Sequence, residues 1–463
     1  MTSNILTDLQ QKLGTELIVT GAALSQRYTH IWRMDQPLNA KAVALPRTTA
    51  EVSEILKICH AHNQPIVVHG GLTNLVGSTE TIDGQEVIIS MEKMNNIEEI
   101  DPKSRTMTVQ AGVILENVQN LAKENKLLFP LNYGAKGSAQ IGGAISTNAG
   151  GLRVFRYGMT RNLVLGIEAV LADGTIVSAL KKVIKDNSAY DIKQLFIGSE
   201  GTLGVVTKAV LKLVEAPKSR NSAWIGIQSY DKVVDFLKFM DSGLAGTLSG
   251  YELLWNKTFR AMTNPPSLVK SPLPYDYPYY VLVESLGSHQ ENDSAAFQAL
   301  LEQALEEEII ADAAVAFTAS DLEWFWKIRE DVAVFISQCK NDQQFDVSLP
   351  IPNIGDYVAE TVKKLYQIPE VELVFPLGHV ADGNMHFCVG KNRQSKELIA
   401  KINEVVYSPL TALGGSVSAE HGIGLDKKAY LPLCRTAEEI QLMKTLKMAM
   451  DPKGILNRGK VFN

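Results

Sequence analysis

The residues best placed to do chemistry are two histidines around a tight turn and a Glu-His pair further on. His379 and His386 stand in PLGHVADGNMHFCVG, Glu420 and His421 in SAEHGIG. The run VELVFPLGHV reads as a strand, ADGN as a four-residue hairpin loop and MHFCVG as the returning strand. With Ala381–Asn384 as the loop, Val380 faces Met385 and His379 faces His386. Directly opposed residues have Cβ atoms roughly 4.5–5.5 Å apart, close enough for two imidazoles to share one ion. The Glu420 carboxylate completes a His2Glu set that leaves positions open for water or substrate, as a catalytic divalent metal requires. His421 is tethered beside that set without being obliged to bind it, and a neutral imidazole suits proton removal at neutral pH. Taken singly, each histidine reads as an ordinary hydrogen-bonded residue, so the assignment leans on the rest of the chain.

The chain has 463 residues, 45% of them hydrophobic, enough for two or three domains with their own cores. A net charge of −6 and the lack of a Lys/Arg-rich block argue against nucleic acid as a partner. The start, MTSNILTDLQQKLG, shows no basic segment followed by an apolar core, and no apolar run approaches the roughly 20 residues that span a bilayer. Cys59, Cys339, Cys388 and Cys434 are far apart, which suits a reducing cytoplasm. The expected location is cytoplasmic, with peripheral association with a membrane left open.

Short β-rich runs alternate with helical patterns over the first 215 residues. Thr48-Thr49-Ala50-Glu51 reads as a capping box, and Val52, Ile55, Leu56 and Cys59 recur at helical spacing after it. Strands follow in IVVH, EVIISM and TMTVQAG, and a second helix over Leu115–Asn125. HGGLTNLVGS and GAKGSAQIGGAISTNAGG are too rich in glycine and small polar residues to belong to a core. No G-x-G-x-x-G lies between a strand and a helix, so a Rossmann site has no support. Such loops instead expose successive backbone N–H groups that can cradle a pyrophosphate, although turns and close packing would account for either loop alone.

Together with GSEGTLGVVT at Gly198–Thr207, these loops form an ordered set. The chain resembles the flavoproteins of the vanillyl-alcohol-oxidase superfamily, with a PCMH-type FAD-binding domain, and within it the D-lactate and D-2-hydroxyglutarate dehydrogenase branch. PRTTAEV, HGGLTN, GAKGSAQIGG, STNAGGLRVFRYG, VLADGT, DNSAYDIKQLFIGSEGTLG, GHVADGNMH, SAEHGIG and MDPKGILN occur in the family's order. The resemblance implies an α+β fold in three parts. These are a two-subdomain FAD-binding domain over 1–217, an α+β cap with an antiparallel sheet over 218–430, and a helical segment over 431–463 that returns to the FAD domain. It also implies that His69, Gly70, Gly71, Leu72, Thr73, Asn74 and Ser78 lie at the FAD pyrophosphate. Gly137, Ser138, Gly142, Gly143, Asn148, Gly150 and Gly151 would line the rest of the cofactor, Gly201, Gly204 and Val206 its adenine and ribose side, and Asn457 would close the site. Relatives with covalent flavin place a histidine directly after the first Gly-Gly. Here that position is Leu72, so FAD is expected to be non-covalent.

In the cap, Trp324, Phe325, Trp326 and Phe335 read as core. The family counterpart of Arg329, in WKIRE, grips a substrate carboxylate, for which a guanidinium fork is suited. A 2-hydroxy acid chelating a divalent metal would have an acidified hydroxyl, His421 would take its proton, and the C2 hydride would pass to flavin N5. Zinc is the first expectation for the metal and manganese the alternative; Cys388 as an added ligand would favour zinc. Relatives acting on D-2-hydroxyglutarate carry Thr, Lys and Asn where this chain has Ala333, Gln344 and Cys388. Arg329 and Ala333, four apart on one expected helix, would share a face, and Cys388 would share a strand face with His386. A pocket without those polar groups points to a monocarboxylate such as D-lactate or a bulkier analogue. Two further readings are D-2-hydroxyglutarate dehydrogenase and an oxygen-using oxidase, and a third is a flavin-binding subunit without chemistry. Expected partners are the 2-hydroxy acid and a separate electron acceptor, namely a quinone, an electron-transfer flavoprotein or a cytochrome. A homodimer is also open to the chain.

Overall fold

The computed structural model describes residues 4–32 and 34–462. They divide into two compact units. One takes the chain up to Gly151, then Tyr157–Ala216 and everything from Glu420 on; the other takes Leu152–Arg156 and Pro217–Ala419. The return therefore comes at Glu420, ten residues or so before the expected boundary at 431, because Ile423 and Gly424 are already hydrogen-bonded to Glu200 of the first unit.

Among the described residues the first unit holds two larger sheets and a two-stranded pair, Leu127–Leu128 with Val214–Glu215. Ala42–Ala44, Val87–Ser90 and Ile66–His69 run parallel, with Ile18–Val19 added antiparallel at one edge. The second sheet is antiparallel throughout, in the order Ile97–Asp101, Thr106–Gln110, Val205–Lys212, Val164–Val170, Ile176–Ala179. Helix Thr49–Ala61 starts where expected, and Thr48 Oγ1 accepts the Glu51 N–H. The reciprocal half of the capping box differs: the Glu51 carboxylate accepts from Arg47 N, one residue upstream. Helix Leu115–Glu124 is also present, and one apolar core spans both sheets and these helices.

The second unit is built on one antiparallel sheet of seven strands. They are β1 Ser219–Ile227, β2 Leu248–Trp255, β3 Tyr279–Gly287, β4 Asp312–Val315, β5 Gln343–Ser348, β6 Val371–His379 and β7 Asn384–Lys391, in the spatial order β4-β1-β3-β2-β6-β7-β5. Helices α1 (Asn256–Thr263), α2 (Ala319–Glu330) and α3 (Ala333–Ile336) contribute Phe259, Met262, Phe325, Trp326, Ile328 and Phe335 to one apolar cluster with Trp224, Leu254 and Phe375 of the sheet. The aromatic run at 324–326 thus packs as core. No helix among the described residues is long and apolar enough to cross a membrane.

The C-terminal segment is stitched to the first unit through Asn457. Its backbone N–H donates to Ile66 O, its Oδ1 accepts from Val68 N, and its Nδ2 donates to Glu200 O, all with the residue 4% exposed. Truncation would strand a buried N–H and a buried carbonyl. Asn457→Ala should lower the unfolding free energy by about 2–4 kcal/mol, since each buried group left unsatisfied costs about 1–3 kcal/mol. Urea unfolding followed by circular dichroism checks this; an unchanged midpoint and slope would contradict it.

Candidate active site

Register places the candidate ligands. In β6 and β7, His379 pairs with Asn384 and Leu377 with His386, so the connecting loop is Val380–Gly383, not Ala381–Asn384. The expected opposition of His379 to His386 is thereby corrected by two residues. Gly383, at φ +82°, closes a tight one-turn loop, which leaves Asn384 as the first residue of the returning strand. Alternation still puts His379, Leu377, Asn384 and His386 on one face of the sheet. The two imidazoles stand at right angles with centroids 5.3 Å apart, and each offers a ring nitrogen within 4.8 Å of the other's.

The same face carries Glu252 of β2, paired in register with His379, and Asp346 of β5, paired with His386. Glu252 is 1% exposed; His379 Nδ1 lies 2.8 Å from both its carboxylate oxygens, and Arg329 Nε donates to its Oε2 at 2.7 Å. Burial would raise the Glu252 pKa, but His379 and Arg329 outweigh it and hold the carboxyl below its ordinary value. A carboxylate only accepts, so His379 presents Nδ1–H to Glu252 and turns Nε2 away from it. Asp346, fully buried, accepts from Asn384 Nδ2, Ser418 Oγ and Ala419 N, and stands 3.9 Å from His386 Nδ1, too far for a hydrogen bond. Asn384 Oδ1 is buried with no hydrogen-bond partner among the described residues. An imidazole nitrogen turned away from its carboxylate and an amide oxygen without a hydrogen-bond partner among the described residues, on one buried face, fit a cation. Asp382, in the turn, is pushed up to about 6, chiefly by burial.

The residues expected to bind substrate distribute differently from expectation. Arg329 is buried and committed through Nε to Glu252, which leaves the outer edge of the fork to meet a ligand. It does not share a helix with Ala333: α2 ends at Glu330, Asp331 leaves the helical region, and Ala333 opens α3 as an exposed residue. Gln344 and Cys388 are register partners on the His386 face. The Gln344 amide donates to Asp342, and Cys388 is 2% exposed in the apolar cluster with Cys339. The Cys388 thiol is pushed well up, first by the Cys339 thiol beside it and then by burial. It is a packed, protonated thiol, which removes the argument for it as a metal ligand.

Within the first unit the glycine loops converge. A Cβ on Gly71 would lie 2.0 Å from Ser138 O, so two of the expected cofactor loops touch backbone to backbone. By contrast, a Cβ on Gly143, in the first turn of helix Ile141–Thr147, would meet nothing within 4 Å, and Gly70 and Gly137 also have room. That open strip is a cradle a flavin can fill. Gly142, Gly151 and Gly204 are different: their Cβ positions are occupied by Ala111, Asn132 and Phe196, so protein packing demands glycine there. Ser78 spends both donors within the fold, its N–H on Asn74 Oδ1 and its hydroxyl on Glu200. Thr73, Ser138 and Gly150 lie in these loops, and Leu72 adopts φ +57°. His69 is buried, bonded through Nε2 to Thr79 O and depressed to about 4 by burial. Asn148 caps its helix in the left-handed region and accepts from Arg161 N, and Val206 is buried in a strand beside Gly201 and Gly204. Asn457 closes against Gly201, its Nδ2 2.7 Å from where a Cβ would stand.

Glu420 and His421 open the return into this unit. Two residues further, Ile423 and Gly424 donate their N–H groups to Glu200 at 2.7 and 2.9 Å, and the Glu420 charge, after burial, helps to raise the Tyr133 hydroxyl. The residue before Glu420, Ala419, is anchored to Asp346 in the second unit. Sequence reasoning missed Glu252, Asp346, Asn384 and Glu200. A lone carboxylate within the apolar strands LSGYELLW and QQFDVS was the available signal for the first two, since a buried charge needs partners.

Comparison with known proteins identifies the family. The family described as FAD linked oxidases, C-terminal domain, matches residues 216–461, and the FAD binding domain family matches 40–180. A Schizosaccharomyces pombe protein, provisionally named a mitochondrial D-lactate dehydrogenase, is 41% identical over 89% of this chain and 80% of its own length. The mitochondrial D-2-hydroxyglutarate dehydrogenase of Danio rerio is 37% identical over 89% of this chain and 76% of its own. The D-2-hydroxyglutarate dehydrogenase of Xanthomonas citri is 33% identical over 100% and 98%. Among solved structures, p-cresol methylhydroxylase with substrate bound shares the fold at a TM-score of 0.78 and 15% identity, covering 99% of this chain and 96% of that one. Alkyldihydroxyacetonephosphate synthase does so at 0.74 and 15%, covering 98% and 84%. The chain belongs to the FAD-linked oxidase family, in the company of the D-lactate and D-2-hydroxyglutarate dehydrogenases.

Proposed function

We propose that this protein is a dehydrogenase that uses non-covalent FAD and a divalent metal to oxidise a D-2-hydroxy monocarboxylate to the 2-keto acid. The observation that carries the reading is the buried face on which His379 turns Nε2 away from Glu252, His386 stands at a right angle to it, and Asn384 Oδ1 has no partner among the described residues. Glu420 would complete the ligand set, supported by its tether: the preceding residue is fixed to the carboxylate paired in register with His386. When bound, the metal would supply Lewis acidity toward the substrate hydroxyl, and FAD would supply the hydride acceptor. Zinc and manganese both accept two imidazoles and oxygen donors, and with Cys388 packed among apolar residues the sulfur argument for zinc falls away.

The chain's own residues then divide the work. The outer edge of the Arg329 fork holds the substrate's C1 carboxylate, and its Nε hydrogen bond fixes the plane of that fork. His421 takes the hydroxyl proton as the C2–H bond breaks, a role that its position next to Glu420 supports. The flavin lies along the open strip at Gly70, Gly137 and Gly143, and with Leu72 after the first Gly-Gly no histidine stands there to attach it. Electrons leave to a separate acceptor of the quinone, electron-transfer flavoprotein or cytochrome class.

Flavin content tests the cradle. Gly143→Val should fold with a near-native circular dichroism spectrum yet lose most of its flavin absorbance, and acid precipitation of the parent protein should release all flavin into the supernatant. Yellow colour that stays with the pellet would contradict non-covalent binding.

Chelation tests the metal. EDTA followed by desalting should abolish turnover while leaving FAD bound, and His379→Ala should behave likewise. Full activity in a sample shown by elemental analysis to be metal-free would end the metal's role.

The substrate class is tested by kcat/KM across D-lactate, a bulkier D-2-hydroxy monocarboxylate, D-malate and D-2-hydroxyglutarate, anaerobically with one artificial acceptor and then in air. The monocarboxylates should lead by at least tenfold. Ala333→Thr, Gln344→Lys and Cys388→Asn together should shift preference toward the dicarboxylates, because a site built to pair a polar group discriminates strongly. A native preference for D-2-hydroxyglutarate would overturn the monocarboxylate reading, and turnover in air without an acceptor would favour an oxidase.

A further inference from the structure

We infer that Glu252 is a positioning residue that sets two parts of the site at once, the metal-ligand orientation of His379 and the carboxylate-gripping orientation of Arg329. The inference rests on the reading of His379 as a ligand. Glu252 sits at the end of the short pairing between β2 and β6, opposite His379, where the two strands share only three register pairs. It contacts His379 Nδ1 at 2.8 Å through both oxygens and Arg329 Nε at 2.7 Å. All three side chains are at least nine-tenths buried.

The chemistry separates this from a merely structural ion pair. Arg329 alone neutralises Glu252, so a carboxylate is not needed to balance a charge on His379. An apolar trio of similar volume would be about as stable or more so in such a place. What only an acceptor can do here is hold Nδ1–H, so that Nε2 is the ring nitrogen turned toward a metal, and hold Arg329 by its inner edge so that the outer edge faces away from Glu252. The partner on the other ligand is not equivalent. His386 has Asp346 at 3.9 Å, beyond hydrogen-bonding range, and Asp346 is already engaged by Asn384, Ser418 and Ala419. Orientation of the ligand pair therefore depends on Glu252 more than on any other carboxylate of the face.

The test uses the flavin-loaded protein stripped of metal. Zn2+ and Mn2+ are titrated by calorimetry into the parent, Glu252→Gln, Glu252→Asp and Arg329→Lys, and KM and kcat for the preferred D-2-hydroxy acid are measured after reloading. Glu252→Gln should weaken metal binding by about 10–100-fold, the usual effect of losing a partner behind a ligand histidine, and should also raise KM at least tenfold. Glu252→Asp should recover part of both. Arg329→Lys should raise KM while leaving metal affinity within threefold of the parent. A Glu252→Gln protein that melts like the parent and binds metal within twofold of it overturns the inference alone. If Glu252→Gln does not fold, Glu252→Asp with parental metal affinity and KM overturns it equally. A parent protein that binds neither ion overturns this inference together with the metal reading beneath it.

Discussion

The geometry of the second unit hangs on one backbone constraint, the left-handed turn at Gly383. Its φ of +82° suits glycine, and a Cβ there would lie 2.7 Å from Leu349 O. Leu349 N in turn donates to Gly383 O, which ties the turn to the end of β5. With the loop held to Val380–Gly383, His379 must pair with Asn384 and Leu377 with His386. Side chains alternate strictly along strands, so a slip of one residue would turn His386 and Asn384 to the opposite face and dismantle the donor set. Every electrostatic feature of the face, from Glu252 to Asp346, is arranged on that register.

A second constraint acts in the first unit through Glu200. This buried carboxylate accepts from Ser78 Oγ, Ile423 N and Gly424 N. Burial raises its pKa, and the hydrogen bonds oppose the shift without cancelling it. The loop after His69 and the turn after His421 are thereby fixed to one side chain, so the proposed flavin cradle and the proposed base share an anchor. Conformational freedom at either loop would blur the position of the other.

Much of this was legible before any coordinates, for identifiable reasons. His379 and His386 could be assigned to one face because the error in register was two residues, and two residues preserve the face while one would not. The helices at 49 and 115 and the strands at 66, 87 and 106 followed from caps and alternation, which are local signals. The break between Arg329 and Ala333 was not legible: WKIREDVAVFI has no proline or glycine, and the helix ends there because Asp331 leaves helical geometry. The glycines were legible as a set but not by cause. Composition cannot separate Gly143, which borders open space, from Gly142, which is pressed on Ala111, because the difference lies in residues thirty positions away. Glu252 escaped notice for the same reason, since its partners His379 and Arg329 are brought to it only by the sheet and by α2.

Charge balance across the face bears on what it can hold. Among the described residues three guanidiniums reach it, and each is on a carboxylate: Arg329 on Glu252, Arg153 and Arg220 on Glu284. Glu284 is fully buried, and its two arginines hold it below its ordinary pKa against the effect of burial, so neither is readily released to a ligand. Glu252, Glu284 and Asp346 stand against these three arginines, and Asp382, pushed up to about 6 and close enough to feel His379, Glu252 and Asp346, adds negative charge at neutral pH. A divalent cation would add two positive charges, set against that excess and a single substrate carboxylate. A second carboxylate would then arrive with no partner, in a region where Cys388 and Cys339 pack against Phe375 and the nearest amide, Gln344, is turned to Asp342. An unpaired buried charge costs several kcal/mol even after relaxation. That cost would fall on dicarboxylates alone, and it is the balance of fixed charges, more than the shape of any one pocket, that underlies the proposed substrate with a single carboxylate.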